Sequence, residues 1–355
     1  MTKAPVFLGA ATLVAGQGGI ARVARMSARA LVGAGHPITM AAYLDDAPVG
    51  IGSATSAPAL GSKLRFAAAC HRAAITHDHF LYDSAGIARA HPSLPGLRRR
   101  YSVWMHGTEA WEALRPQAHA VLRNAALVLV NSRFTLDRFQ ALYGDLPVAS
   151  VCWLGTETDE EPALAMADQC PPAALILSRI DSGDSYKGHA ELIAAWPQVT
   201  AAIPGARLLI AGGGTGLNDI RARAAASTVA DSIEVLGFVP EGEIARLWQR
   251  ASVFAMPSRG EGFGLVYIEA MRHGLPVLAS VHDAGQEVNA DGVTGFNVDL
   301  DREGELAHRL IGLLSDPKLA KRMGQAGRDR WRANFRYAAF EQRFLASLNE
   351  FLDPA

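Results

Sequence analysis

Residues 259–274, Arg-Gly-Glu-Gly-Phe-Gly-Leu-Val-Tyr-Ile-Glu-Ala-Met-Arg-His-Gly, carry two carboxylates eight positions apart, Glu261 and Glu269. A glycine-flanked loop lies between them and runs into a helix. Upstream, the apolar stretch 253–256 reads as a strand, closed by Pro257 and Ser258. Strand, glycine loop and helix N-terminus together make an anion cradle, because the first N–H groups of a helix have no partner within it and its dipole favours negative charge there. A carboxylate beside such a cradle repels a bare anion. It suits something neutral joined to that anion, such as sugar hydroxyls, and the pairing points to a nucleotide-sugar site.

Other residues fit the same chemistry. Arg179 closes a second strand candidate, and Lys187-Gly188 follows across the turn-forming run Asp181-Ser182-Gly183-Asp184-Ser185. Two cations from one crossing loop can neutralise a diphosphate, the guanidinium as a planar fork and the ammonium as a point charge. Local pairing with Asp181 and Asp184 is the plainer use. His106-Gly107-Thr108-Glu109 follows the strand candidate 102–105, so the ring stands at a crevice position, able to donate to a substrate hydroxyl. A buried structural histidine is the alternative. Gly16-Gln17-Gly18-Gly19-Ile20-Ala21 matches G-x-G-x-x-A ahead of a helix at 21–32, and Asp45 and Asp46 end the second strand, where a nicotinamide-dinucleotide site places its ribose acid. That fingerprint turns directly after its strand, whereas four or five residues intervene here. The loop therefore reads as a phosphate-approaching loop, a dinucleotide site or a structural turn.

Metal chemistry has thin support. Asp299-Leu300-Asp301 is the only D-x-D, and two carboxylates underfill an octahedral shell. His77-Asp78-His79 has no further ligand nearby in the sequence. Gly212-Gly213-Gly214 reads as a tight strand-to-helix turn, and Arg98-Arg99-Arg100 as a solvated loop or a contact to an anionic acceptor.

These residues need a frame that presents strand ends. Strand candidates run at 6–11, 38–44, 80–82, 102–105, 127–130 and 149–153, then at 174–177, 207–211, 233–236, 253–256, 277–280 and 296–298, with helical stretches between them. Most are continuously apolar, as strands buried on both faces must be, so parallel sheets of repeated βα units are expected. Gly35 and Gly274 read as residues just past helix ends. An acidic, proline-punctuated stretch at 156–172 separates the two series. The chain thus reads as α/β, with two doubly wound Rossmann-like domains at 1–158 and 173–336, a linker at 159–172 and a terminal helix from 337 to 355.

Length supports two domains. No run of apolar residues reaches the roughly 18 needed to span a bilayer, and no signal-peptide pattern is expected at the N-terminus. Cys70, Cys152 and Cys170 are scattered without C-x-x-C spacing, which fits reduced thiols in a cytoplasmic protein. The net charge of −1 hides an asymmetry: residues 1–155 carry 15 Lys/Arg against 8 Asp/Glu, the rest 19 against 27. A basic first half fits an acidic partner or an anionic membrane surface, or ordinary surface variation.

In order and spacing, the segments GQGGIARVA (16–24), HGTE (106–109), NSRFT (131–135), SRID…YKGH (178–189), LGFVP (236–240), SRGEGFGLVYIEAMRHGLPVLAS (258–280) and DGVTGF (291–296) resemble the retaining GT-B glycosyltransferases of the family 4 group, over nearly the whole chain. The resemblance implies a GT-B fold whose two domains face each other across a cleft, with the terminal helix returning to the first. It implies that Glu269 holds donor ribose hydroxyls and Glu261 sugar hydroxyls. Gly262 and the amides of Phe263, Gly264 and Leu265 approach sugar and phosphate, while Arg179 and Lys187 clamp the diphosphate. Gly18 and Gly19 close over the phosphates, His106 meets the sugar near its anomeric centre, and Val239 offers backbone contacts to the base. Many members carry Gly-Gly-x-x-Glu after the strand that ends here at Ser280. This chain has His282-Asp283-Ala284-Gly285-Gln286-Glu287, with Glu287 matching the acid.

The expected activity is retaining, metal-independent transfer of a hexose from a UDP- or GDP-sugar to a glycan or lipid-linked saccharide in bacterial surface polysaccharide synthesis. No cofactor and no nucleic acid are expected, and the enzyme is expected in the cytoplasm, peripheral on the inner membrane face. An NAD(P)-dependent oxidoreductase using residues 16–21, or an inactive GT-B-shaped binding protein, are the alternatives.

Overall fold

A computed structural model describes residues 3–111, 114–164, 171–183 and 185–352. Cys170, Asp184 and much of the expected linker lie outside these. The chain divides into two compact units, 1–157 with 337–355, and 158–336.

The first unit contains β1 (Val6–Ala10), α1 (Gly18–Gly33), β2 (Ile38–Ala42), β3 (Gly50–Ile51), β4 (Ala54–Pro58), α2 (Lys63–Thr76), β5 (His79–Tyr82), α3 (Ala85–Ala88), β6 (Arg100–Met105), α4 (Thr108–Trp111), α5 (Pro116–Asn124), β7 (Leu127–Val130), α6 (Arg133–Tyr143) and β8 (Ala149–Val151). Its sheet runs β3-β4-β2-β1-β5-β6-β7-β8, parallel except for β3 on β4. β1, β5 and β7 are buried along their whole length, as strands covered by helices on both faces require. Ser62 and Ser132 cap α2 and α6 by accepting the N–H of Arg65 and Thr135.

The second unit contains β9 (Ala173–Leu177), α7 (His189–Ala202), β10 (Arg207–Ala211), α8 (Leu217–Ala225), β11 (Ile233–Gly237), α9 (Glu241–Gln249), β12 (Val253–Ala255), α10 (Leu265–Arg272), β13 (Val277–Ser280), α11 (Gly285–Val288), β14 (Gly295–Val298), α12 (Glu305–Ser315) and α13 (Pro317–Asn334). Its all-parallel sheet runs β11-β10-β9-β12-β13-β14. Residues 158–164 pack within this unit: Glu161 takes Arg328, Arg332 and Arg336, and the Glu160 carbonyl accepts from Arg272.

The last helix, α14 (Tyr337–Leu352), rejoins the first unit. Phe340, Phe344, Leu348 and Phe351 recur at helical spacing and are buried. Phe340 and Phe344 stack on Trp104 of β6, at 6.2 and 6.0 Å between ring centroids. Full burial of each such ring is worth roughly 1.5–3 kcal/mol.

Each strand read from the sequence falls within two residues of an observed one. β3 and β4 were not anticipated. Their sequences, Gly-Ile and Ala-Thr-Ser-Ala-Pro, lack the apolar run of a central strand, and they lie at the sheet edge, where half-exposed residues suffice.

Candidate functional site

In open α/β sheets a ligand binds beyond the carboxyl ends of the strands, where the winding reverses. In the second unit this point lies between β9 and β12. The loops leaving these two strands are residues 178–188 and 256–264, which hold Arg179, Lys187, Glu261, Gly262, Phe263 and Gly264.

The two loops meet. The Lys187 ammonium lies against the Glu261 carboxylate, each side chain 14% exposed. Both loops turn into helices through glycines with positive φ. Gly188 (95°) caps α7, and a Cβ there would stand 2.6 Å from the Pro257 carbonyl oxygen. Gly264 (84°) caps α10, and a Cβ there would strike the Tyr267 ring at 2.3 Å. Any other residue would push the β12 loop off the helix start, where the amides of Leu265 and Val266 have no partner inside the helix.

Tyr267 is the packing centre of this region. It is fully buried and its hydroxyl donates to the Met256 carbonyl at 2.7 Å. Beside it the Asp283 carboxylate accepts the N–H groups of Glu261 and Gly285, both at 2.8 Å. Burial pushes the Asp283 carboxyl up to about 7, and the Glu261 charge adds to the rise.

The remaining marked residues sit at the same end of this sheet or on α10. Arg179 is open to solvent and pairs with Asp181 at 3.0 Å, which also accepts the Thr215 N–H at 2.9 Å. That backbone donor, then Arg179, holds the Asp181 carboxyl below its usual range. Glu269 lies on α10 one turn past Leu265, about 6 Å along the axis, half-buried and within the field of Arg272. Phe263 is buried, its ring 5.9 Å from that of Phe335. Val239 is half-buried just past β11, beside the exposed Phe238.

Asp299 and Asp301 come together with His282, in a group close enough to ligate one ion. Their charges are already met, Asp301 by Arg259 at 2.6 Å and Asp299 by Arg302 at 3.3 Å. The Leu300 N–H donates to His282 Nε2 at 3.1 Å, so an ion would have to displace a hydrogen bond and two cations.

In the first unit the winding reverses between β1 and β5. His106, just past β6, is stacked on Trp104 at 6.0 Å, so the α14 aromatics support its platform. Its Nε2 lies 2.7 Å from the Asp83 carbonyl oxygen. A carbonyl only accepts, so Nε2 carries the hydrogen. Burial lowers the ring's pKa and keeps it neutral, partly opposed by Glu109. Nδ1 therefore holds the lone pair. The sequence led us to expect a donor to substrate; the ring's remaining nitrogen is an acceptor.

Gly18 opens α1 and, with Gly19, is exposed. The approach to them is fixed by two buried acids. Asp83 accepts the Ala11 N–H at 2.6 Å, while Asp45 accepts the Thr12 hydroxyl at 2.5 Å and the Leu13 N–H at 3.1 Å. Asp45 is thus spent on the loop after β1 rather than open to a ribose.

The structure brings together Lys187, Glu261 and the start of α10 in the second unit, and His106 with the Asp83 carbonyl and the Glu109 carboxylate in the first. Sequence reasoning overlooked Asp83, Asp283 and Tyr267. Asp283 stands in the stretch that departs from the resembled pattern, and that departure was the one available signal. Burial of a lone Asp has no signature in a single sequence.

A family model described as glycosyl transferases group 1 matches residues 172–330. The GDP-mannose-dependent alpha-(1-6)-phosphatidylinositol monomannoside mannosyltransferase of Mycobacterium tuberculosis is 33% identical over 270 residues, 70% of this chain and 68% of that protein. Its counterpart in Mycolicibacterium smegmatis is 31% identical over 259 residues, 66% of each. The matched segments thus span about two thirds of these relatives. Among solved structures, a sucrose-phosphate synthase from Thermosynechococcus elongatus superposes with a TM-score of 0.81 at 21% identity, covering 98% of this chain and 99% of that one. Anabaena HepE in complex with UDP and glucose gives 0.79 at 18% identity, covering 98% and 100%.

Proposed function

The chain belongs to the group 1 glycosyl transferases, an α/β family of GT-B fold, and on that premise we propose that it moves a hexose from a UDP- or GDP-sugar to a glycan or lipid-linked saccharide, with retention at the anomeric carbon and without a metal. The observation that carries this reading is the Lys187–Glu261 pair at the strand ends of the second unit, beside the N-terminus of α10. A cation and partnerless helix amides serve a diphosphate. A carboxylate held against that cation serves neutral hydroxyls and keeps the loop from binding anions indiscriminately.

Cleavage of the anomeric C–O bond sends its electron pair to the β-phosphate oxygen and leaves an oxocarbenium-like sugar. Arg179, Lys187 and the first amides of α10 stabilise the leaving charge, and one preorganised donor of this kind is worth roughly 3–4 kcal/mol. The departing phosphate takes the acceptor's proton as the acceptor oxygen attacks from the same face. Glu269 holds the ribose and Val239 the base. In the first unit, His106 keeps Nδ1 to accept from a hydroxyl, and Gly18 and Gly19 form an exposed glycine loop.

Among the described residues no helix is long and apolar enough to cross a membrane. A peripheral lipid contact is supported by α2, whose outer face shows Leu64 (85% exposed) and Ile75 (71%) among the cations Lys63, Arg65 and Arg72. The named mannosyltransferase relatives act on a phosphatidylinositol monomannoside, which supports a lipid-linked acceptor here.

The test is incubation with a panel of nucleotide sugars in EDTA, with candidate acceptors and mass-spectrometric product analysis. Sugar transfer with release of UDP or GDP is expected. Failure of every donor to bind or turn over would discard the proposal, and saturable NAD(P)H binding would favour the oxidoreductase reading instead.

A further inference from the structure

We propose that Asp283 is a positioning residue for donor chemistry, its buried carboxylate fixing the main chain of Glu261 so that the Glu261 side chain meets the sugar in one orientation. The inference rests on the reading of Glu261 as a ligand of sugar hydroxyls.

Asp283 lies three residues past the end of β13 and is fully buried. One carboxylate oxygen accepts the Glu261 N–H and the other the Gly285 N–H, both at 2.8 Å. The next residue returns the contact, since the Ala284 N–H donates to the Glu261 carbonyl at 3.1 Å. Glu261 is therefore gripped through both polar atoms of its main chain by two consecutive residues of the neighbouring loop. The Ser280 hydroxyl adds a bond to the Ser258 carbonyl, so the β12 and β13 loops are tied at 258 and at 261. A glycine at 283, as the resembled pattern carries there, offers no acceptor and could not make this grip.

Tyr267 closes the arrangement. A Cβ on Gly264 would stand 2.3 Å from its ring and one on Gly285 2.9 Å, so the ring fills the space between both loops. Charged and titratable groups facing Asp283 are Glu261 on the β12 loop, with Lys187 behind it, and Tyr267 on α10; His282 adjoins it in sequence and leans toward Asp299. The acid's two oxygens are matched by N–H donors, so a proton on either oxygen removes an acceptor. A few tenths of an ångström at the Glu261 main chain are amplified at the end of its side chain, where productive geometry tolerates about 0.5 Å.

The experiment uses the full chain and whichever of GDP-mannose and UDP-glucose the wild type turns over. Asp283→Asn, nearly isosteric, keeps one acceptor and places an N–H₂ against the second amide. We expect its Kd for the matching nucleoside diphosphate to stay within threefold of wild type, and kcat/KM for donor turnover to fall at least tenfold. Combined with Glu261→Gln it should lose little beyond Glu261→Gln alone, and the acid limb of the wild-type pH–rate profile near neutrality should flatten. Retained diphosphate binding reports an intact fold. Should the Asn variant prove too unstable, Asp283→Ser carries the same expectations. Equal losses of diphosphate affinity and turnover, or additive effects with Glu261→Gln, would overturn the positioning role. Absence of any nucleotide-sugar turnover by the wild type strikes the functional reading itself, and this inference falls with it.

Discussion

Lys187 and Glu261 lie 74 positions apart and meet as an ion pair in which each side chain is 14% exposed. Desolvating two charges is costly unless each is matched, and removing one strands the other. The pair therefore matches one charge of each loop against the other.

Replacing Lys187 by Ala should lower kcat by about 10²–10³, the cost of one preorganised donor at a developing anion. It also leaves Glu261 without its counter-charge. Single-turnover donor cleavage measures the loss, and EDTA should change neither the wild-type rate nor the ratio. A variant within threefold of wild type would remove Lys187 from the chemistry.

Glu269→Ala should weaken donor binding with a smaller effect on the chemical step. Hydrogen bonds from ribose hydroxyls to a charged acceptor are worth about 1.5–3 kcal/mol, or roughly 10–150-fold in Kd. Titration calorimetry with the nucleoside diphosphate reads it directly. An unchanged Kd would contradict the ribose contact.

Asp83 and Asp283 are both buried, and burial raises each carboxyl from its ordinary 3.8 to about 7. Between those values the folded state holds more protons than the unfolded chain. Their contribution is therefore complete below about pH 4, is lost as pH rises to about 7, and is flat above. Each is worth on the order of a few kcal/mol. His91 and His273, lowered by burial to about 4, oppose this over much of the same window. The wild-type curve can thus look shallow. The informative quantity is the difference: Tm of Asp283→Asn relative to wild type should rise from pH 5 to pH 8. A difference independent of pH would show that Asp283 titrates at its ordinary value.

Leu64→Asp with Ile75→Asp should reduce partition onto anionic vesicles at least fivefold while leaving soluble-donor cleavage intact. Wild-type binding should weaken with salt, as a contact resting on a few surface cations must. Equal binding to neutral and anionic vesicles would refute the α2 contact.

The legible parts of the chain were those with a local cause. Continuous apolar runs marked each central strand, because a strand covered on both faces needs nothing else. Gly264 and Gly188 were readable as loop residues because only glycine takes their conformations cheaply. β3 and β4 escaped since edge strands carry no such pattern. Asp83 and Asp283 escaped for a different reason: each earns its role from an amide on another strand's loop, 72 and 22 positions away.

By itself, the sequence determined the two parallel-sheet units and the residue types at the strand ends, for periodicity and turn chemistry act over a few neighbours. Only the tertiary structure decided that Lys187 faces Glu261, that the His106 nitrogen left over is an acceptor, and that Asp45 serves the loop after β1. Hydrogen-bond partners and burial arise when distant strands are laid side by side, and no local pattern specifies which amide a buried carboxylate will find.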